Sequence, residues 1–177
     1  MNTVRLVFLL VLLSSGPALL AQSTPPGLQP CSQAEQKQLD FWIGEWKLTW
    51  PIQKAEVAHG SNSIKRALDG CVVEESFSGE SSIHLRGHSV SIFDAQDGKW
   101  KQTWVDNEGG YLDFVGGMKD GQMSFWRETK QPDGTPVTMR MIWRNVTYDS
   151  LDWSWEGSTD GEKSWKVLWA IHYERKK

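Results

Sequence analysis

The residues of this 177-residue chain whose types could do chemistry are few and scattered. Acid–base work needs a carboxylate whose protonation is shifted by burial or by a neighbouring charge. Glu75 alternates in step with Val73 and Phe77, so the period that buries those two turns it inward as well. Arg127 lies in step with Met123 and Phe125. An inward Glu75–Arg127 pair forms a charged cavity floor, as well suited to orienting a ligand as to moving a proton. A register different by one residue puts Glu75 on a wet face instead. Asp106 shares parity with Trp100, Gln102 and Trp104, yet it opens Asp106-Asn107-Glu108-Gly109, where an aspartate caps a turn. No nucleophile–base–orienter set accompanies these acids, and G-x-S-x-G, H-E-x-x-H, P-loop and G-x-G-x-x-G patterns are absent from the sequence. No catalytic residue is assigned.

Metal chemistry has no better footing. The four His (His59, His84, His88 and His172) and the two Cys show no ligand spacing, so no metal site is assigned. Asp94-Ala95-Gln96-Asp97-Gly98 loosely resembles a calcium loop but lacks the later Glu, and reads as a hairpin turn. Asn145-Val146-Thr147 fits a glycosylation acceptor, which matters only in a eukaryotic secretory pathway.

The compositional anomaly is 11 Trp against 3 Tyr and 6 Phe. Trp143, Trp153, Trp155, Trp165 and Trp169 fall on the apolar faces of three successive alternating segments, where cross-strand aromatic contacts are expected. A Trp-rich core is the plain explanation. Its functional extension makes Trp104, Trp143, Trp155 and Trp169, with Glu75 and Arg127, the lining of an apolar ligand cavity. A competing placement sets Trp100, Trp104 and Trp126 on an outer face as stacking platforms for sugars.

These side chains need elements to position them. Met1 to Arg5, the apolar run Leu6–Leu13 and a small residue at Ala21 have the order of a secretory signal peptide, giving residues 1–21 as signal and 22–30 as a Pro-rich linker. The apolar run is too short for a permanent span, so the mature chain is expected to be exported, periplasmic or secreted, with no membrane span. An oxidising compartment then favours a Cys31–Cys71 bridge over two free thiols. A net charge of −3 argues against nucleic acid or an anionic membrane surface as a non-specific partner. Ser32-Gln33-Ala34-Glu35 matches a capping box, and Leu39, Trp42 and Ile43 follow at helical spacing, predicting a helix over 32–42 ended by Gly44.

Beyond Gly44 the period becomes two. Trp165, Val167, Trp169, Ile171 and Tyr173 share one predicted face, as do Val137, Met139, Met141 and Trp143. Asp-Gly pairs at 69–70, 97–98, 120–121, 133–134 and 160–161, with Gly109-Gly110, mark tight turns. Between them lie about ten strands, near 45–50, 59–68, 71–78, 86–94, 99–106, 110–117, 121–128, 136–145, 149–156 and 163–174. The gaps are too short for crossover helices. The fold class is therefore all-β: one domain over 31–177, an antiparallel up-and-down barrel of about ten strands with a short N-terminal helix capping one mouth. A barrel of about eight strands is just filled by side chains, so ten leave room for a small ligand.

Phe41-Trp42-Ile43-Gly44-Glu45-Trp46, Leu68-Asp69-Gly70-Cys71-Val72-Val73-Glu74-Glu75, Phe93-Asp94 with Gly98-Lys99-Trp100, and Gln102-Thr103-Trp104-Val105-Asp106 carry a resemblance. So do Glu156 to Gly161 and Ser164-Trp165. Over residues 41–173 the chain resembles exported bacterial barrels of unknown function, which are lipocalin-like (calycin-type) and distantly similar to nitrobindin-like haem barrels. The resemblance implies the fold and no activity. It raises haem, which needs an axial ligand facing an apolar cavity. His172 has parity opposite Trp169 and points out, whereas His88, in step with Val90 and Ile92, is the better placed. Four scattered His without ligand spacing do not support a haem site, and no cofactor is assigned. The expected function is non-catalytic binding of a small apolar or aromatic molecule inside the barrel. The alternatives are a cell-envelope carbohydrate-binding or processing module and a calycin-like small-molecule enzyme.

Overall fold

The computed structural model describes residues 31–52, 56–80 and 82–177; the signal peptide and linker read at 1–21 and 22–30 lie outside the described residues. Ten strands follow in order: β1 (Gly44–Pro51), β2 (Val57–Ala67), β3 (Val72–Ser78), β4 (Arg86–Asp94), β5 (Lys99–Asp106), β6 (Tyr111–Lys119), β7 (Gln122–Lys130), β8 (Pro136–Arg144), β9 (Ser150–Ser158) and β10 (Lys166–Arg175). Each pairs antiparallel with its neighbours in sequence, and β1 pairs with β10 from Trp46↔Arg175 to Thr49↔His172, closing the barrel. The predicted all-β, ten-stranded antiparallel architecture is therefore correct, with strand bounds within a few residues of those set by alternation and Asp-Gly turns.

Alternation explains the closure. Along β1, Trp46, Leu48 and Trp50 are buried while Glu45 and Lys47 are exposed. Curling onto itself buries this apolar face and leaves the sheet no unpaired edge. The end of the barrel where β1 begins is packed solid. Leu39 and Trp42 insert there against Trp143, whose ring lies edge-on to Trp42 (5.3 Å between centroids) and to Phe125 (5.7 Å). Each such aromatic pair adds about 0.5–1.5 kcal/mol to the burial of its surface.

The helical segment is shorter and tighter than the capping box implies. It forms two 3₁₀ turns, Glu35–Lys37 and Asp40–Trp42, with Ala34 preceding the first and no side-chain cap. The Gln36 Oε1 accepts the Gln33 backbone N–H. Tertiary ties override local propensity here. Cys31 is bonded to Cys71, Arg66 Nη2 donates to the Gln36 carbonyl (2.6 Å), and Trp100 Nε1 donates to Gln38 Oε1 (3.1 Å). The segment is draped over the barrel mouth rather than standing as a three-turn helix.

Arg175 locks the closing seam. Its Nη1 donates to the Ile43 carbonyl (2.8 Å) and its Nε to that of Tyr148 (2.6 Å), while the guanidinium lies 4.1 Å from the Trp46 ring centroid. Gly44 has φ +145°, and a Cβ there would lie 2.0 Å from Arg175 Nη1, so only glycine admits the arginine.

One predicted face is broken. The β10–β9 register shifts between Val167 and Trp169, because a bulge adds a residue to β10 and reverses parity before it. Trp169 faces inward opposite Trp155, but Val167 is exposed, and Trp165 lies outside beneath the Arg140 guanidinium (3.7 Å).

Candidate functional site

The half of the barrel away from the 3₁₀ turns is not filled. A chamber of about 210 Å³ remains, walled by Phe77, Trp104, Phe114, Trp153, Trp155 and Trp169. These rings hold one another edge to face: Trp153–Trp169 at 5.9 Å, Phe77–Trp169 at 5.7 Å and Phe114–Trp155 at 5.6 Å. Such contacts match the positive ring edge to the negative face and fix the ring planes. Space for the rings comes from small inward residues on β4. A Cβ at Gly87 would lie 2.0 Å from the Trp104 ring, so that indole rests directly on backbone. Trp104 Nε1 also donates to Asp106 Oδ2 (3.0 Å). Asp106 Oδ1 accepts the backbone N–H groups of Glu108 (3.0 Å) and Gly110 (2.8 Å), making it the turn cap its sequence context suggests. The Trp104 and backbone donors hold its carboxyl below the ordinary aspartate value.

Glu75, in the middle of β3, is the buried carboxyl of this chamber. Asn62 Nδ2 donates to its Oε1 (2.7 Å) and Ser89 Oγ to its Oε2 (2.6 Å). Burial raises its pKa above 4.5, against the opposing effect of the Ser89 and Asn62 hydrogen bonds. Among the described residues lining the chamber there is no Lys, Arg or His to compensate a negative charge. Burial therefore makes the neutral form, which carries an O–H donor, more accessible than in an exposed glutamate. Asn62 Nδ2 also lies 3.3 Å from the Tyr173 hydroxyl, whose pKa is raised by burial and then by the nearby Glu75 charge. Ser89, Glu75, Asn62 and Tyr173 thus form a polar chain across β4, β3, β2 and β10.

The structure brings Glu75, Trp104, Trp155 and Trp169 together around one space. Trp143 is not among them. It is sealed in the solid end against Trp42, Phe41 and Phe125. Arg127 does not meet Glu75: its Nη2 lies 3.7 Å from Asp113 Oδ1, and its guanidinium sits 5.9 Å from the Phe114 centroid. The two side chains share the inward parity but stand on well-separated strands, and Glu75 is held by Asn62 and Ser89 instead.

Two outward placements are also corrected. Trp100 is fully buried and Trp104 lines the chamber, so of the three proposed sugar platforms only Trp126, opposite in parity to buried Phe125, is on the outside. His88 faces outward as well, with Nδ1 3.1 Å from Ser76 Oγ. Val90 and Ile92, which share its face, are exposed, because the inner face of β4 is the small-residue one of Gly87, Ser89 and Ser91. His172 faces outward as read, 2.7 Å from Asp152.

Sequence reasoning missed Asn62, Ser89 and Tyr173 as partners of Glu75. The available signal was a polar Asn at an inward position of β2, between Gly60 and Ile64. It also missed a buried acid on the outer face: Glu156 accepts from Arg140 Nε (2.8 Å), Arg144 Nη2 (2.7 Å) and Ser154 Oγ (2.7 Å). Burial alone raises its pKa, but these hydrogen bonds together bring it below the ordinary glutamate value. With Arg140 stacked on Trp165, this cluster staples β8, β9 and the β9–β10 connection.

Compared with known protein families, the chain matches no family model, and it matches none of the curated proteins with which it was compared.

Proposed function

We propose that the barrel binds one small apolar or aromatic molecule in this chamber without transforming it. The observation that carries the reading is a space lined by eight aromatic side chains, with Glu75 as its buried carboxyl and Asp106 at the β5–β6 turn. Apolar walls supply the driving force and a sparse set of polar groups supplies orientation, which is the usual division of labour in small-molecule sites. Glu75 is the polar group that orients the ligand, and when protonated it donates to a carbonyl, ether or ring-nitrogen acceptor. Catalysis has less support, since Glu75 is tied to Asn62 and to the buried Ser89 hydroxyl, and no nucleophile–base–orienter set is formed there among the described residues. The sugar-platform reading loses Trp100 and Trp104 to the interior.

The barrel's closed antiparallel order fits the lipocalin-like, calycin-type resemblance noted in the sequence. The Cys31–Cys71 bridge supports an exported, periplasmic or secreted location. Among the described residues no helix is long and apolar enough to cross a membrane. Calorimetric titration with 2-naphthol tests the binding reading. The wild type is expected to bind, and Leu112→Trp, which fills the chamber from its wall, to weaken binding about tenfold or more, since an occupied cavity admits no ligand without strain. Equal binding by both proteins, or none by the wild type, contradicts it.

A further inference from the structure

The barrel wall is not continuous. The β5–β6 ladder runs from Trp100↔Gly116 to Val105↔Tyr111, and the β7–β8 ladder from Ser124↔Ile142 to Lys130↔Pro136. Between them, β6 and β7 pair only from Val115↔Trp126 to Lys119↔Gln122. Residues 111–114 of β6 and 127–130 of β7 are strand without being partners of each other, so the seam gapes toward the unfilled end. A second cavity lies in this gap, and its walls mix inward and outward positions, as a hole through a sheet must. Gln102 and Phe114 line both this cavity and the central chamber, so the two spaces abut.

Arg127 stands in the gap. Its nearest acid, Asp113, is 3.7 Å away and mostly exposed, beyond hydrogen-bond range and weak as a surface pair. Its Nε is buried and has no hydrogen-bond partner. A guanidinium offers five donors in a planar fork that matches a carboxylate, and a buried donor left unmet is costly. Arg127 shares the gap with Lys101, Asp113 and Glu128, and its unmet fork is held over the Phe114 ring beside an aromatic chamber with no cation among its described lining residues.

We propose that the ligand is an aromatic carboxylate, whose ring system occupies the chamber and whose anionic group lies in the β6–β7 gap on Arg127. The proposal rests on the interior-ligand reading and adds the charge class. Glu75 meets the opposite, uncharged end of the molecule, which separates the roles of the two residues expected to pair with each other.

The test uses two probes of one shape, 1-naphthylacetate and its neutral amide, 1-naphthylacetamide, titrated calorimetrically into wild type, Arg127→Gln and Arg127→Lys. A charged hydrogen-bond pair corresponds to about tenfold or more in affinity, so the wild type is expected to prefer the carboxylate by about that factor. Arg127→Gln removes the preference and leaves the amide within about twofold, which also shows that the chamber is intact; Arg127→Lys, with charge but no fork, retains part of it. Equal wild-type affinity for both probes, or a loss in Arg127→Gln that falls equally on both, overturns the anion site while leaving the interior-ligand reading standing. Failure of the wild type to bind either probe overturns both.

Discussion

At the scale of single residues, Glu75 makes the sharpest claim. Its pKa is raised in the folded barrel, so between 4.5 and the raised value the unfolded chain has released its proton and the folded one still holds it. The folded state then binds more protons, and this group's contribution to stability is fully present below 4.5 and is lost as pH rises through the folded value. Glu75→Gln cannot ionise. Urea unfolding across pH should show the wild type losing stability relative to Glu75→Gln over that window, and a difference independent of pH would refute the burial argument. Trp143 and Trp155 make a second contrast. Trp143→Ala empties a site in the solid end and is expected to cost about 3–5 kcal/mol with ligand binding retained by the remaining folded protein. Trp155→Ala, on the chamber wall, should cost less and weaken binding. The reverse order in denaturant unfolding would mean the wall and the plug have been exchanged.

At the scale of elements, the strands were legible and their irregularities were not. Period-two alternation between Asp-Gly turns determines strand bounds and relative facing, so Glu75, Trp104, Trp155 and Trp169 could be grouped from sequence. Parity alone does not say which face is inside. On β4 the apolar-looking face of His88, Val90 and Ile92 is outer, because Gly87, Ser89 and Ser91 must make room for Trp104. Nor does parity survive a bulge, which is why Trp165 left the face of Trp169. The helical spacing over 32–42 resolves into two 3₁₀ turns because their conformation is set by distant partners, Arg66, Trp100 and Cys71. That dependence is testable. The bridge spans a sequence separation of 40, and replacing both cysteines by Ala should cost about 2–4 kcal/mol in denaturant unfolding. Hydrogen exchange in the Cys31→Ala, Cys71→Ala double variant should quicken first in residues 35–42 and least in β8 and β9. Uniform quickening would mean the bridge supports the whole barrel rather than its cap.

At the scale of the whole molecule, one closed sheet is divided into two unlike halves. The end nearest the 3₁₀ turns is plugged by Leu39 and Trp42, and the far half is a chamber with a gap in its wall. The excess of tryptophan serves both: Trp46, Trp100 and Trp143 are sealed in the core, Trp104, Trp153, Trp155 and Trp169 line space, and Trp42 stands between them, plugging one end and flooring the chamber. Indole N–H groups give each tryptophan its own signal, so the division can be read directly. In a nitrogen–proton correlation spectrum of the protein titrated with 2-naphthol, the indole resonances of Trp104, Trp153, Trp155 and Trp169 should shift while those of Trp126 and Trp165, on the outer surface, stay fixed. Shifts confined to Trp126 and Trp165, or no saturable shift at all, would contradict an interior ligand site.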